Sequence, residues 1–78
     1  MHRYYFDLVY AGALFPDGEG MLSPSVEAAQ VEAARELADA FSHRLGAEPL
    51  QAEAAVEVRD DMGALMRVEM SFVIKRVN

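Results

Sequence analysis

The sequence predicts an α+β fold: a three- to four-stranded antiparallel sheet with one amphipathic helix packed on one face, in β-β-α-β-β order. Three patterns carry this expectation. Residues 2–10 alternate strictly, residues 26–45 hold one helical period, and two further alternating runs are joined by Asp61-Met62-Gly63.

In the first run His2, Tyr4, Phe6, Leu8 and Tyr10 fall on one side and Arg3, Tyr5, Asp7 and Val9 on the other, the period of a strand with one buried face. Ala11-Gly12 supplies a turn, and pairing Tyr10 with Ala13 sets Phe15 beside Leu8. A short second strand over 13–16 follows. Pro16 has no amide proton to give a ladder and Asp17-Gly18-Glu19-Gly20 is turn chemistry, so pairing stops there, with Met21-Leu22 as a brief extended piece.

Ser25 stands where its hydroxyl can accept from a free helix amide, and Glu27 places negative charge in the first turn. Val26, Ala29, Ala33, Leu37, Ala40 and Phe41 share one face, while Glu27, Gln30, Glu32, Arg35, Glu36, Asp39 and His43 take the rest. Gly46 suits a left-handed residue after the helix and Pro49 bars continuation, which sets the end near Leu45. Small residues at 29, 33 and 40 allow a close approach to Tyr4, Phe6 and Phe72.

Parity fixes the second hairpin. If Val56 and Val58 share the buried face with Met66, Val68, Met70, Phe72 and Ile74, then Val58 faces Met66, Val56 faces Val68 and Glu57 faces Arg67. Asp61-Met62-Gly63 is then a three-residue loop with a positive φ expected at Gly63. Residues 64–77 exceed ordinary strand length, so a bulge or an early end is expected.

Length and composition narrow the function classes. At 78 residues the chain has room for one core, a single small domain over 1–78. The absence of cysteine excludes disulfides and thiolate metal sites and agrees with a reducing cytoplasm. The first seven residues carry charge and lack a signal-peptide core, and no run approaches the roughly 20 apolar residues of a membrane span. With a net charge of −6 and only seven scattered basic residues, neither nucleic acid nor a membrane is an expected partner.

Arg3-Tyr4-Tyr5-Phe6, Pro16-Asp17-Gly18-Glu19-Gly20, Glu27-Ala28-Ala29 and Glu57-Val58-Arg59-Asp60-Asp61 before Gly63 together resemble a family of short bacterial proteins of unknown function. That resemblance spans nearly the whole chain. It implies a fold and brings no activity or catalytic residue. Residues 4–34 are also similar to antitoxins of the HicB type, in which a hairpin with an acidic Asp-Gly turn precedes a helix opening on Glu-Ala, although the long hairpin that follows departs from their pattern.

Individual constellations favour structural roles. Asp39 and His43, four apart on the helix, read as an exposed supporting pair rather than a metal pair. Asp17, Glu19, Asp60 and Asp61 read as turn residues, since they lack the alternating ligands and closing Glu of a calcium loop. Ser23, Ser25, Ser42 and Ser71 lie in no glycine-flanked elbow, and so short a chain offers little room for an enclosed pocket of several hundred Å³. Tyr4, Phe6 and Tyr10 are needed for the core, which leaves Tyr5 with Arg3 as a poor base-stacking platform.

These readings leave a non-catalytic protein-interaction or regulatory module without a catalytic, cofactor or metal site. The alternatives are a small-molecule or metal-binding domain or enzyme using the acidic turns, and an antitoxin-like subunit neutralising a basic toxin. The expected interaction face is the side of the sheet opposite the helix, with Arg3, Tyr5, Val9, Leu65, Arg67 and Val73. A homodimer through that face or the sheet edge, or a protein partner, is expected.

Overall fold

A computed structural model describes residues 1–44 and 51–78. The elements are β1 (His2–Tyr10), β2 (Ala13–Phe15), β3 (Met21–Ser23), α1 (Val26–Arg44), β4 (Gln51–Asp60) and β5 (Gly63–Val73). One helix packs on one antiparallel sheet of strand order β2-β1-β4-β5, with β3 also paired to β1. Among the described residues the sheet therefore has five strands rather than three or four. The extended piece at Met21-Leu22 is the added strand, because β1 is long enough to pair with β2 along Leu8–Tyr10 and with β3 along His2–Tyr4.

The first turn obeys the two-residue hairpin rule: Ala11 and Gly12 have φ of 53° and 79°, and two positive values match the twist of the flanking strands. Leu8 pairs with Phe15 and Tyr10 with Ala13, as the alternation requires. On its other edge β1 pairs with β4, Phe6 opposite Val58 and Leu8 opposite Val56.

At the start of α1 the Ala28 amide donates to Ser25 Oγ at 3.1 Å, and the Ala29 amide donates to the Ser25 carbonyl at 3.1 Å. The Ser25 cap satisfies an amide that the helix itself leaves unpaired. Ala29, Ala33, Leu37 and Phe41 are buried, whereas Val26 is exposed and Ala40 half-buried. Contact is thus narrower than the sequence pattern, a single i,i+4 row seated on Tyr4, Phe6, Ala54, Val56 and Val58. Phe41 meets Phe72 edge to face at 4.9 Å. The expected stop signals Gly46 and Pro49 lie outside the described residues.

The second hairpin keeps the expected register, with Val58 opposite Met66, Glu57 opposite Arg67 and Val56 opposite Val68. Its turn is tighter than the three-residue loop expected. Asp60 pairs with Gly63, leaving Asp61 and Met62 as the loop, and Arg59 pairs with Ala64, so the odd residue is Leu65 in a bulge. Moving the extra residue from loop to strand restores the same parity beyond it. Asp60 Oδ1 accepts the Met62 amide at 2.8 Å, and Gly63 has φ 127°.

A Cβ at Gly63 would meet no atom within 4 Å, so its constraint lies in the backbone alone. Gly63→Val is expected to cost about 1–3 kcal/mol in urea unfolding, and Met62→Gly, at a 92% exposed loop position, clearly less.

Candidate functional site

β2 and β3 share one edge of β1 and leave residues 5–7 between them without a strand partner on that side. The segment 16–20 fills the interval. The Phe6 amide, which would otherwise lack an acceptor, donates to Asp17 Oδ2 at 3.2 Å. Asp17 Oδ1 accepts the amides of Glu19 and Gly20 at 3.0 and 3.1 Å, and the Asp17 amide donates to Asp7 Oδ1 at 2.8 Å. One carboxylate thus caps both a strand edge and its own turn.

Gly20 lets the loop lie this close. Its φ is 72°, and a Cβ there would sit 2.8 Å from the Tyr4 carbonyl oxygen.

Arg59 of β4 ties the loop to the sheet. Its Nε donates to Asp7 Oδ2 at 2.8 Å, its Nη2 donates to the Asp17 carbonyl at 3.0 Å, and its guanidinium lies 4.4 Å from the centre of the Tyr5 ring. Register explains the meeting, because Tyr5 pairs with Arg59 and Asp7 with Glu57 on the face away from the helix. Arg3 Nη1 donates to the Glu19 carbonyl at 2.8 Å. Asp7 is buried despite standing on the uncovered face.

For Asp7 the largest single influence is burial, which favours the neutral acid. The Arg59 hydrogen bond, the Asp17 amide and the Arg59 charge together outweigh it, so the carboxyl sits below its ordinary value. Asp17 is lowered in the same way, burial being overcome by the amides of Gly20, Glu19 and Phe6 and by the Arg59 charge. Glu36 on α1 moves the other way, to about 7, through burial first and then the charges of Glu32, Asp17 and Asp39.

Of the residues expected on the interaction face, Arg3 and Tyr5 belong to this cluster. Arg67 makes a second one, with Nη1 2.6 Å from Glu57 Oε2 and Nε 3.1 Å from Glu69 Oε2. Val9 is half-buried, Val73 is 56% exposed, and Leu65 stands in the bulge while Ala64 takes the place opposite Arg59. The register adds two exposed residues to the face, Leu14 opposite Val9 and Leu22 opposite Arg3.

The Asp7–Arg59–Asp17 cluster was not foreseen. Its only sequence signal is the outward parity of Asp7 within an aromatic strand, and that signal does not reveal its partner across the fold. His43 Nδ1 donates to the Asp39 carbonyl at 2.7 Å, so this pair meets through the backbone and not through the Asp39 carboxylate. A surface depression of about 370 Å³ is lined by Leu8, Tyr10, Phe15, Ala40 and His43. Among the described residues no three His, Asp or Glu side chains group so as to hold a metal ion, and no helix is long and apolar enough to cross a membrane.

The arrangement defines a small α+β domain whose conspicuous polar cluster fastens a loop to a sheet. The chain belongs to the family described as Domain of unknown function (DUF6894), which matches residues 3–71. No curated protein and no solved structure matches it.

Two outcomes follow from the site. Asp17→Ala removes the acceptor of the Phe6 amide and is expected to cost about 1–3 kcal/mol in urea unfolding. Glu36 binds protons more tightly folded, at about 7, than at its ordinary 4.5, so its penalty grows as pH rises between those values and is constant above. Glu36→Gln should therefore raise the Tm at pH 8 and leave it nearly unchanged at pH 4, read by calorimetry. The lowered Asp7 and Asp17 carboxyls act oppositely, stabilising above their ordinary value of 3.8 and ceasing to do so as pH falls through their folded values.

Proposed function

We propose that this domain is a non-catalytic interaction module that binds a protein partner on the face of the sheet opposite the helix. The observation that carries the reading is how the charged groups of that face are used. Asp7, Asp17 and Arg59 are committed to one another and to backbone groups, and Arg67 to Glu57 and Glu69. Groups held this way are poor candidates for proton transfer, which needs a side chain turned toward a substrate.

Around them Leu14, Leu22 and Val73 expose apolar surface at 58%, 52% and 56%. A flat face of exposed aliphatics with fixed charges among them resembles a protein-binding surface more than a ligand pocket. The net charge of −6 argues against nucleic acid, and the lack of cysteine agrees with a reducing compartment.

Affinity capture from native cells with the full chain, followed by mass spectrometry, tests the reading. A partner should be retained by the unsubstituted chain and by Val31→Glu, which alters an exposed residue of the helix, and lost with Leu14→Glu or Val73→Glu. A small basic protein among the captured species would point to the antitoxin-like version. Capture unaffected by the face substitutions, or a melting shift on adding a metal ion or metabolite instead, would overturn the proposal.

A further inference from the structure

We propose that two copies of this chain join edge to edge, their β5 strands pairing antiparallel about a twofold axis at Val68, so that one sheet runs through both. β5 spans Gly63–Val73, eleven residues without proline, and bonds to β4 along one edge only. Among the described residues no strand pairs with its other edge. An edge of this length presents unpaired amides and carbonyls over about 36 Å, the condition that favours addition of another strand.

The pleat and the charges select the register. A twofold axis normal to the sheet keeps each face on its own side, so only residues of equal parity can stand opposite one another and the axis must lie midway between one residue and its own equivalent. Centring on Arg67 sets two guanidinium groups against each other, and centring on Glu69 does the same with two carboxylates. Centring on Val68 sets Arg67 opposite Glu69 of the second copy, and the symmetry repeats the pair.

The same register brings Met66 to Met70 of the second copy and Val68 to its own equivalent on the helix side, where all three are half-buried. Arg67 already lies between Glu57 and Glu69, so pairing would extend an existing row of alternating charge from one copy into the next. The bulge at Leu65 bounds the ladder at one end. Charges that would repel in neighbouring registers thus permit this one, which is how edge charges give specificity as well as solubility.

Arg67 and Val73 belong to both β5 and the open face, but the readouts differ, self-association here and retention of another protein there, so either proposal can fail without the other. Sedimentation equilibrium of the full chain at tens of micromolar should give twice the 8.6 kDa monomer mass. Arg67→Glu alone and Glu69→Arg alone should each weaken the dimer at least tenfold, since every cross-copy pair becomes repulsive. An equimolar mixture of the two variants should restore it, because every cross-copy pair is then opposite in sign. A misfolded variant would not be rescued by mixing. In the unsubstituted chain, alternate β5 amides should exchange more slowly as concentration rises. A monomer mass throughout, concentration-independent exchange, or a dimer indifferent to both reversals would overturn the proposal.

Discussion

The clamp of Asp7, Asp17 and Arg59 is the constraint on which the sheet depends. β1 is bordered by two short strands with an interval between them, and an interval in a ladder leaves backbone groups without partners. Asp17 closes it by accepting the Phe6 amide, and Asp7 and Arg59 hold Asp17 in place from β1 and β4. Because each member makes more than one bond, the loss of one leaves others unpaired, and the cluster acts as a unit. The acidic turn is consequently a piece of the sheet edge in side-chain form.

On the opposite face the energetics are apolar and economical. The helix commits one residue per turn, and three of its four buried contacts are Ala29, Ala33 and Leu37, at 0% exposure. Alanines bring the helix axis near the sheet, so Tyr4 and Phe6 fill the space that larger helix side chains would need. Leu37 and Phe41 widen the contact toward the other end, where Phe72 reaches in from β5. The helix-side residues of β5, Met66, Val68, Met70 and Phe72, stay only half-buried because a single helix cannot cover four strands across.

The fold was legible because its signals are local. Alternation in residues 2–10, the serine before Val26 and the Val58–Met66 parity each depend on a few neighbouring residues, and each reappears in the structure. Two features were not legible, for one physical reason: they are set by parts of the chain distant in sequence. Whether Met21–Ser23 forms a strand depends on free length in β1. The Asp7–Arg59 bond requires β1 and β4 to be neighbours, which no residue pattern within either strand encodes. The bulge or early end expected of residues 64–77 is met on both counts, at Leu65 and after Val73, and only the bulge's place, which follows from the Asp60–Gly63 pairing, is new. Of the expected face, Arg3, Tyr5 and Arg67 are engaged in the clusters, whereas Val9, Leu65 and Val73 join neither.

The adjacency of β1 and β4 also bears on how the chain reaches this state. Each hairpin can zip from its own turn within microseconds, since its contacts are only a few residues apart. Joining them is a different event: Asp7 and Arg59 are separated by 52 positions, and the chain between them must be gathered before any contact rewards the loss of freedom. Proteins dominated by such distant pairings fold more slowly than those built from local ones. The central seam of the sheet is therefore the pairing that must gather the longest stretch of chain, and it covers one edge of each hairpin at once.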